Sequence, residues 1–116
     1  MVGGEEREYV PERGDAIWLS FTPQAGTEQA GHRPAIVLSR SVYNEKAGYA
    51  LVCPITSTVK GYPFEVPVPE GGEVSGVVLA DQVRSLDWRA RNARLIEPLP
   101  DAVTGEVVAK VQTLLQ

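Results

Sequence analysis

Proline and glycine cut this chain into short apolar runs almost to its end, and that punctuation constrains its fold more than any other feature. The runs are rich in β-branched and aromatic residues. Residues 15–21 (DAIWLSF) alternate polar and apolar side chains, as a half-buried strand does. Residues 35–39 form a near-continuous buried strand with Pro34 at its entry, where a missing donor is tolerated. Further strands are predicted at 49–55, 63–68, 76–80, 83–86 and 93–99, with Pro67 marking an edge and DWRARN a tight turn. A turn of helix fits 41–47 before Gly48. Only 101–116 is clearly helical: Val103, Val107, Val108, Val111, Leu114 and Leu115 form one stripe, with Asp101 as N-cap. That stripe suits packing on the domain's own sheet, with a share in a subunit interface as the second reading. The expected fold is mainly β, a small antiparallel barrel with short helices and a C-terminal α-helix. It is read as one domain over residues 1–116, with 1–8 flexible.

Composition narrows the function classes. No apolar stretch approaches the ~18 residues of a membrane span. The start, MVGGEEREYVPERGD, is acidic and lacks the apolar core of a secretory signal. Cys53 is the single cysteine and lies inside an apolar run, which reads as a buried strand residue in a cytoplasmic protein. The formal net charge of −4 is unlike a nucleic-acid binder, but its distribution is not. Residues 31–64 carry four basic groups against Glu45, and 82–96 carry Arg84, Arg89, Arg91 and Arg94 against Asp87. The remaining segments are mainly acidic. A fold that joins the two blocks makes one basic groove; otherwise both are solvated loops.

The candidate chemistry sits where apolar runs meet loops. TEQAGHRPAIVL crowds Glu28, the only histidine, His32, and Arg33 into a loop entering the 35–39 strand. PITSTVK ends the 49–55 strand in hydroxyls and Lys60. Arg, Glu, Thr and Lys at two such junctions suit a phosphate. There is no Cys/His cluster, no HExxH and no Gly-rich phosphate loop, so no metal or other cofactor is expected. Phosphodiester chemistry on RNA needs less, because the ribose 2′-hydroxyl supplies the nucleophile. Arg33 matches the charge-stabilising role, since a guanidinium grips two phosphate oxygens at once. Thr56 can donate its hydroxyl to the same oxygens. Arginine keeps its proton (pKa above ~12), so Glu28 or His32 is chemically the easier base.

Five segments in this order resemble the MazF/PemK family of toxins: EYVPERGD, EQAGHRPA, PITS, KGYPFEV and LADQVRSLDWRAR. Together they reach across nearly the whole chain. The resemblance implies a homodimeric SH3-like barrel, a sequence-specific mRNA interferase that cuts single-stranded RNA without metal. It also implies 2′,3′-cyclic phosphate and 5′-hydroxyl products, and a MazE-like antitoxin whose acidic tail occupies the RNA groove. Position by position, the family's catalytic arginine falls on Arg33, its threonine on Thr56 and its loop glutamate on Glu28. There the arginine is given proton transfer as well, so the base stays open among Glu28, His32 and Arg33. The residues around Thr56 and the FTPQAG loop depart from relatives, which bears on base preference.

His32, Lys60, Phe21, Ser57 and Arg89 are the expected RNA contacts, by charge, hydroxyl or base stacking. Each has a plainer role: His32 orienting its loop, Thr56 capping a turn, Glu28 and the cations as surface charges. Trp18 and Trp88 read as core and interface packing. A second function class shares the fold, a non-catalytic CcdB-like toxin that poisons DNA gyrase. Such a binder has no need of the Arg33/Thr56 pair.

Overall fold

The computed structural model describes residues 8–21 and 31–116; Glu28, the FTPQAG loop from residue 22 onward and the first seven residues lie outside that range, as does the side chain of Phe21. Within it, seven strands and two helices follow in the order β1 (Asp15–Phe21), β2 (Gly31–Val37), α1 (Ser41–Ala47), β3 (Tyr49–Thr56), β4 (Glu65–Pro67), β5 (Val77–Leu79), β6 (Arg84–Asp87), β7 (Arg94–Pro98) and α2 (Asp101–Leu114). All pairings are antiparallel, in the path β4-β5-β3-β2-β1-β7, with β6 added against β3. β3 is the hub: Tyr49 to Val52 pair with β6, and Ile55 and Thr56 pair with β5. Pro54 stands in the gap between those partners, where its missing N–H costs nothing.

The central strands look continuously apolar because both of their faces are buried. Ala16, Ile36, Cys53 and Ile55 enter one core, which Val103 and Val107 of α2 close. Ile17, Leu19, Ala35, Val37, Ala50 and Val52 enter the other, closed by Leu86 and Trp88. The α2 stripe packs on the domain's own sheet through Val103, Val107, Val108 and Val111, whereas Leu114 and Leu115 are exposed. Pro100, not Asp101, is the N-cap; its carbonyl accepts from the Val103 amide at 3.0 Å. Asp101 is the first helical residue, where its charge meets the positive end of the helix dipole. Among the described residues no helix is long and apolar enough to cross a membrane.

The larger difference from expectation is β2. It begins at Gly31, so His32 and Arg33 lie on a strand rather than a loop, and Pro34 is inside it. Proline is tolerated there because β3 joins β2 only from Ala35 onward, which leaves Pro34 with one paired neighbour, β1. At the far end of the same strand pair, buried Asn44 of α1 ties four segments together. Its Nδ2 donates to the carbonyls of Pro11 (2.8 Å) and Ser39 (3.0 Å), and its Oδ1 accepts from Ser39 Oγ (2.6 Å). Its carbonyl accepts from Trp88 Nε1 at 2.9 Å. Glu12 anchors the start of α1 by accepting from the Ser41 amide at 3.0 Å.

Candidate active site

Antiparallel register brings the two predicted junctions together. β2 and β3 pair as Ala35↔Pro54, Ile36↔Cys53 and Val37↔Val52. Counting two residues further along the same register sets Arg33 opposite Thr56, and residues directly opposite share a face of the sheet. Both line one cleft of about 550 Å³, together with Ser57 and with Trp18 of β1. Trp18, expected in packing, is only half-buried, and it forms a wall of this cleft; Trp88 is buried in the core.

Thr56 is oriented from two sides. Its Oγ1 accepts from the Thr58 amide at 3.1 Å, so the turn-capping role and a donor role coexist. A hydroxyl that accepts through a lone pair keeps its proton to donate elsewhere. Behind it, Gly76 (φ +108°) passes so close that a Cβ there would stand 2.0 Å from the Thr56 carbonyl oxygen. Only glycine fits both that contact and that backbone conformation.

A second recess, about 360 Å³, shares Thr56, Leu79 and Gln82 with the first and is lined by Lys60, Tyr62 and Phe64. The Lys60–Gly61 turn is clasped by the largely buried Glu65 carboxylate, which accepts their amides at 3.1 and 2.9 Å. Tyr62 and Phe64 lie with ring centroids 5.3 Å apart, and Tyr62 is half exposed, a surface on which a base can stack. The sequence reading passed over these aromatics, although the lysine and two rings stand together in KGYPFEV.

His32 is exposed beside Trp18, edge-on at 6.5 Å between centroids. Its Nδ1 is 3.4 Å from Ser20 Oγ, and its Nε2 is 3.4 Å from an Arg94 nitrogen. A guanidinium only donates, so this contact makes Nε2 the acceptor and leaves Nδ1 to carry the proton. Arg91 reaches the Ser20 carbonyl at 3.5 Å. The two basic blocks therefore meet at the end of β1. Arg89 does not join them. It pairs with Glu8 at 2.7 Å and lies 4.2 Å over the Trp88 ring, bordering neither recess. Cys53 is fully buried, and loss of solvation pushes its thiol up to about 12, which fits a core residue and not a nucleophile.

Residues 12–115 match the protein family described as PemK-like, MazF-like toxins of type II toxin–antitoxin systems. The chain is 60% identical over 107 residues to the endoribonuclease toxin MazF of Escherichia coli (strain K12), covering 92% of this chain and 96% of that one. It is 41% identical over 110 residues to the endoribonuclease toxin ChpB of the same organism, covering 90% and 94%. Among solved structures, a MazE–MazF crystal structure from Deinococcus radiodurans superposes with a TM-score of 0.90 at 55% identity, covering 93% of this chain and 97% of that one.

Proposed function

From the premise that this chain belongs to the PemK-like, MazF-like toxin family and is an endoribonuclease, we propose that it cleaves single-stranded RNA at a short motif by attack of the ribose 2′-hydroxyl. The observation that carries this reading is Arg33 and Thr56 on one cleft, at facing ends of β2 and β3. The 2′-oxygen forms a bond to phosphorus while the bond to the 5′-oxygen breaks. The leaving oxygen keeps the electron pair and takes a proton from water, giving a 2′,3′-cyclic phosphate and a 5′-hydroxyl. Arg33 and the Thr56 proton stabilise the charge that grows on the phosphoryl oxygens. The 2′-hydroxyl proton passes to Glu28, His32 or Arg33. His32 fills that role only if its Nε2 leaves Arg94. Ser57 borders the same cleft, and Lys60 and the Tyr62 and Phe64 rings hold the neighbouring nucleotides. Arg89, paired with Glu8 and bordering neither recess, is given no RNA contact.

The mechanism uses no metal: the 2′-hydroxyl is the nucleophile, and Arg33 and Thr56 carry the growing charge. The protein acts in the cytoplasm, where mRNA is translated, as a homodimer whose paired grooves lengthen the RNA track. An antitoxin is its partner, as MazE is of MazF in the Deinococcus complex, and an acidic tail suits the basic end of β1. No observation favours the gyrase-binding alternative.

One experiment tests the chemistry. An RNA oligonucleotide with deoxyribose only at the position 5′ of the cut, incubated with the protein in EDTA, is expected to bind and stay intact while the all-ribose control is cut. Cleavage of the deoxy substrate at the normal site and rate means that water or a protein group attacks, and a control cut only after magnesium is restored refutes metal independence.

A further inference from the structure

The wall of the cleft facing Arg33 and Thr56 comes from a part of the chain that neither the catalytic assignment nor the motifs account for. The segment between β4 and β5 is pinned at three points. Its base is closed by the Val68 amide donating to the Gly76 carbonyl at 2.9 Å. Its middle is plugged into the core by Val74, which is 4% exposed. Its tip is held by Glu97 of β7, whose Oε2 accepts from the amides of Glu73 at 2.9 Å and Val74 at 3.1 Å. Gly72 makes that grip possible, because a Cβ there would lie 2.5 Å from Glu97 Oε2. Buried Val74 and its exposed neighbours Glu73 and Ser75 all border the cleft.

Among the described residues Glu73 is the one acidic side chain bordering the cleft where Arg33 and Thr56 stand. A carboxylate only accepts hydrogen bonds. A bare carboxylate repels a phosphate, so its counterpart in an RNA cleft is a base edge that donates. Cytosine, adenine and guanine each carry an exocyclic amino group, whereas uracil has a carbonyl oxygen where cytosine has its amino group. We propose that Glu73 is a specificity-determining residue that selects an amino-bearing base at one position flanking the cut, and that Glu97 is the positioning residue that holds it there. The proposal rests on the ribonuclease reading above. These contacts fix the backbone that carries Glu73, which limits how far its exposed carboxylate can move away from a base beside it.

The test is a set of RNA oligonucleotides carrying each of the four bases in turn at each position flanking the cut. Cleavage rates are compared for the full-length wild type, Glu73→Gln, Glu73→Ala and Glu97→Ala. At one position, the wild type is expected to prefer an amino-bearing base over uracil by roughly 5- to 150-fold, the span of a good base contact. Glu73→Ala removes that preference while the protein still cuts. Glu73→Gln, which nearly conserves shape and adds a donor, raises cleavage of the uracil substrate. Glu97→Ala flattens the preference at the same position and no other, a result that general loosening of the fold does not produce. Unchanged base preference in Glu73→Ala and Glu73→Gln overturns the proposal and leaves the ribonuclease reading intact. Loss of cleavage on every substrate, with RNA binding and folding retained, also overturns it, because Glu73 is then part of the chemistry. A wild-type protein that cuts no RNA overturns the ribonuclease reading and this proposal with it.

Discussion

The β2–β3 pair has two ends, and they are built on opposite terms. At one, Arg33 and Thr56 leave the paired register past two prolines and open onto a cleft. At the other, Ser39 and Asn44 close the connection through α1 with a buried set of short hydrogen bonds. The closed end satisfies its polar groups internally, so its worth is measured in stability. At the open end Arg33 is exposed and Thr56 is only partly buried, and their worth shows when a substrate is bound. The same two strands thus supply rigidity at one end and the proposed chemistry at the other.

The sharpest way to break that contrast is at the open end. Arg33→Ala and Thr56→Ala are each expected to lower single-turnover RNA cleavage by about 100- to 1000-fold, the usual cost of losing an oxyanion donor. Thermal unfolding followed by circular dichroism should show each variant folded, with a small loss of stability in Thr56→Ala from the missing acceptor of the Thr58 amide. Near-normal cleavage by a folded Arg33→Ala protein removes the open end from the chemistry.

Asn44→Ala probes the closed end and should give the converse. It leaves the Pro11 and Ser39 carbonyls buried without their donor. A loss of about 2–4 kcal/mol in urea unfolding is expected, from the cost of unsatisfied buried groups. Cleavage per folded molecule should stay close to wild type. A large drop in activity at full stability would mean that the two ends are coupled.

The smallest effect concerns Glu12, beside the closed end. The Arg13 amide does most to hold its carboxyl below the ordinary value of 4.5; desolvation, next in size, opposes it, and the Ser41 amide, the Ser41 hydroxyl and the Arg40 charge add to the lowering. A depressed carboxyl stabilises the fold above its unfolded value, and that contribution is lost as pH falls through the folded one. Glu12→Gln should therefore melt slightly below the wild type at neutral pH, with the gap closing on acidification below 4.5. A gap that persists unchanged at acid pH assigns the difference to shape and not to charge.

Much of this was legible along the chain. Alternation and turn residues located all seven strands to within a few residues, and the stripe from Val103 to Val111 located the terminal helix and its buried face. Arg33, Thr56 and Ser57 were legible as a candidate site because arginine and hydroxyls at the ends of apolar runs match phosphate chemistry, and the structure places all three on one cleft. The strand position of His32 and Arg33 was not legible, since a proline within a strand is distinguishable from one at its entry only when the neighbouring strand is known to start late. Asn44 passed unnoticed for a related reason: an asparagine in a seven-residue helix looks solvated until Pro11, Ser39 and Trp88 close around it.

What the sequence determined by itself is local. Side-chain periodicity, turn chemistry and residue type set which segments are strands, which are turned, and which groups can stabilise a phosphate, because these depend on near neighbours. The tertiary structure alone decided which distant groups meet. It brought Arg33 and Thr56 onto one cleft, Arg94 to His32, and Glu97 across to the Glu73 amide. Arg89, alike in sequence to its neighbours, went instead to Glu8 and the Trp88 ring. Such meetings follow from how strands pair and how two cores fill, and those are properties of the whole chain at once.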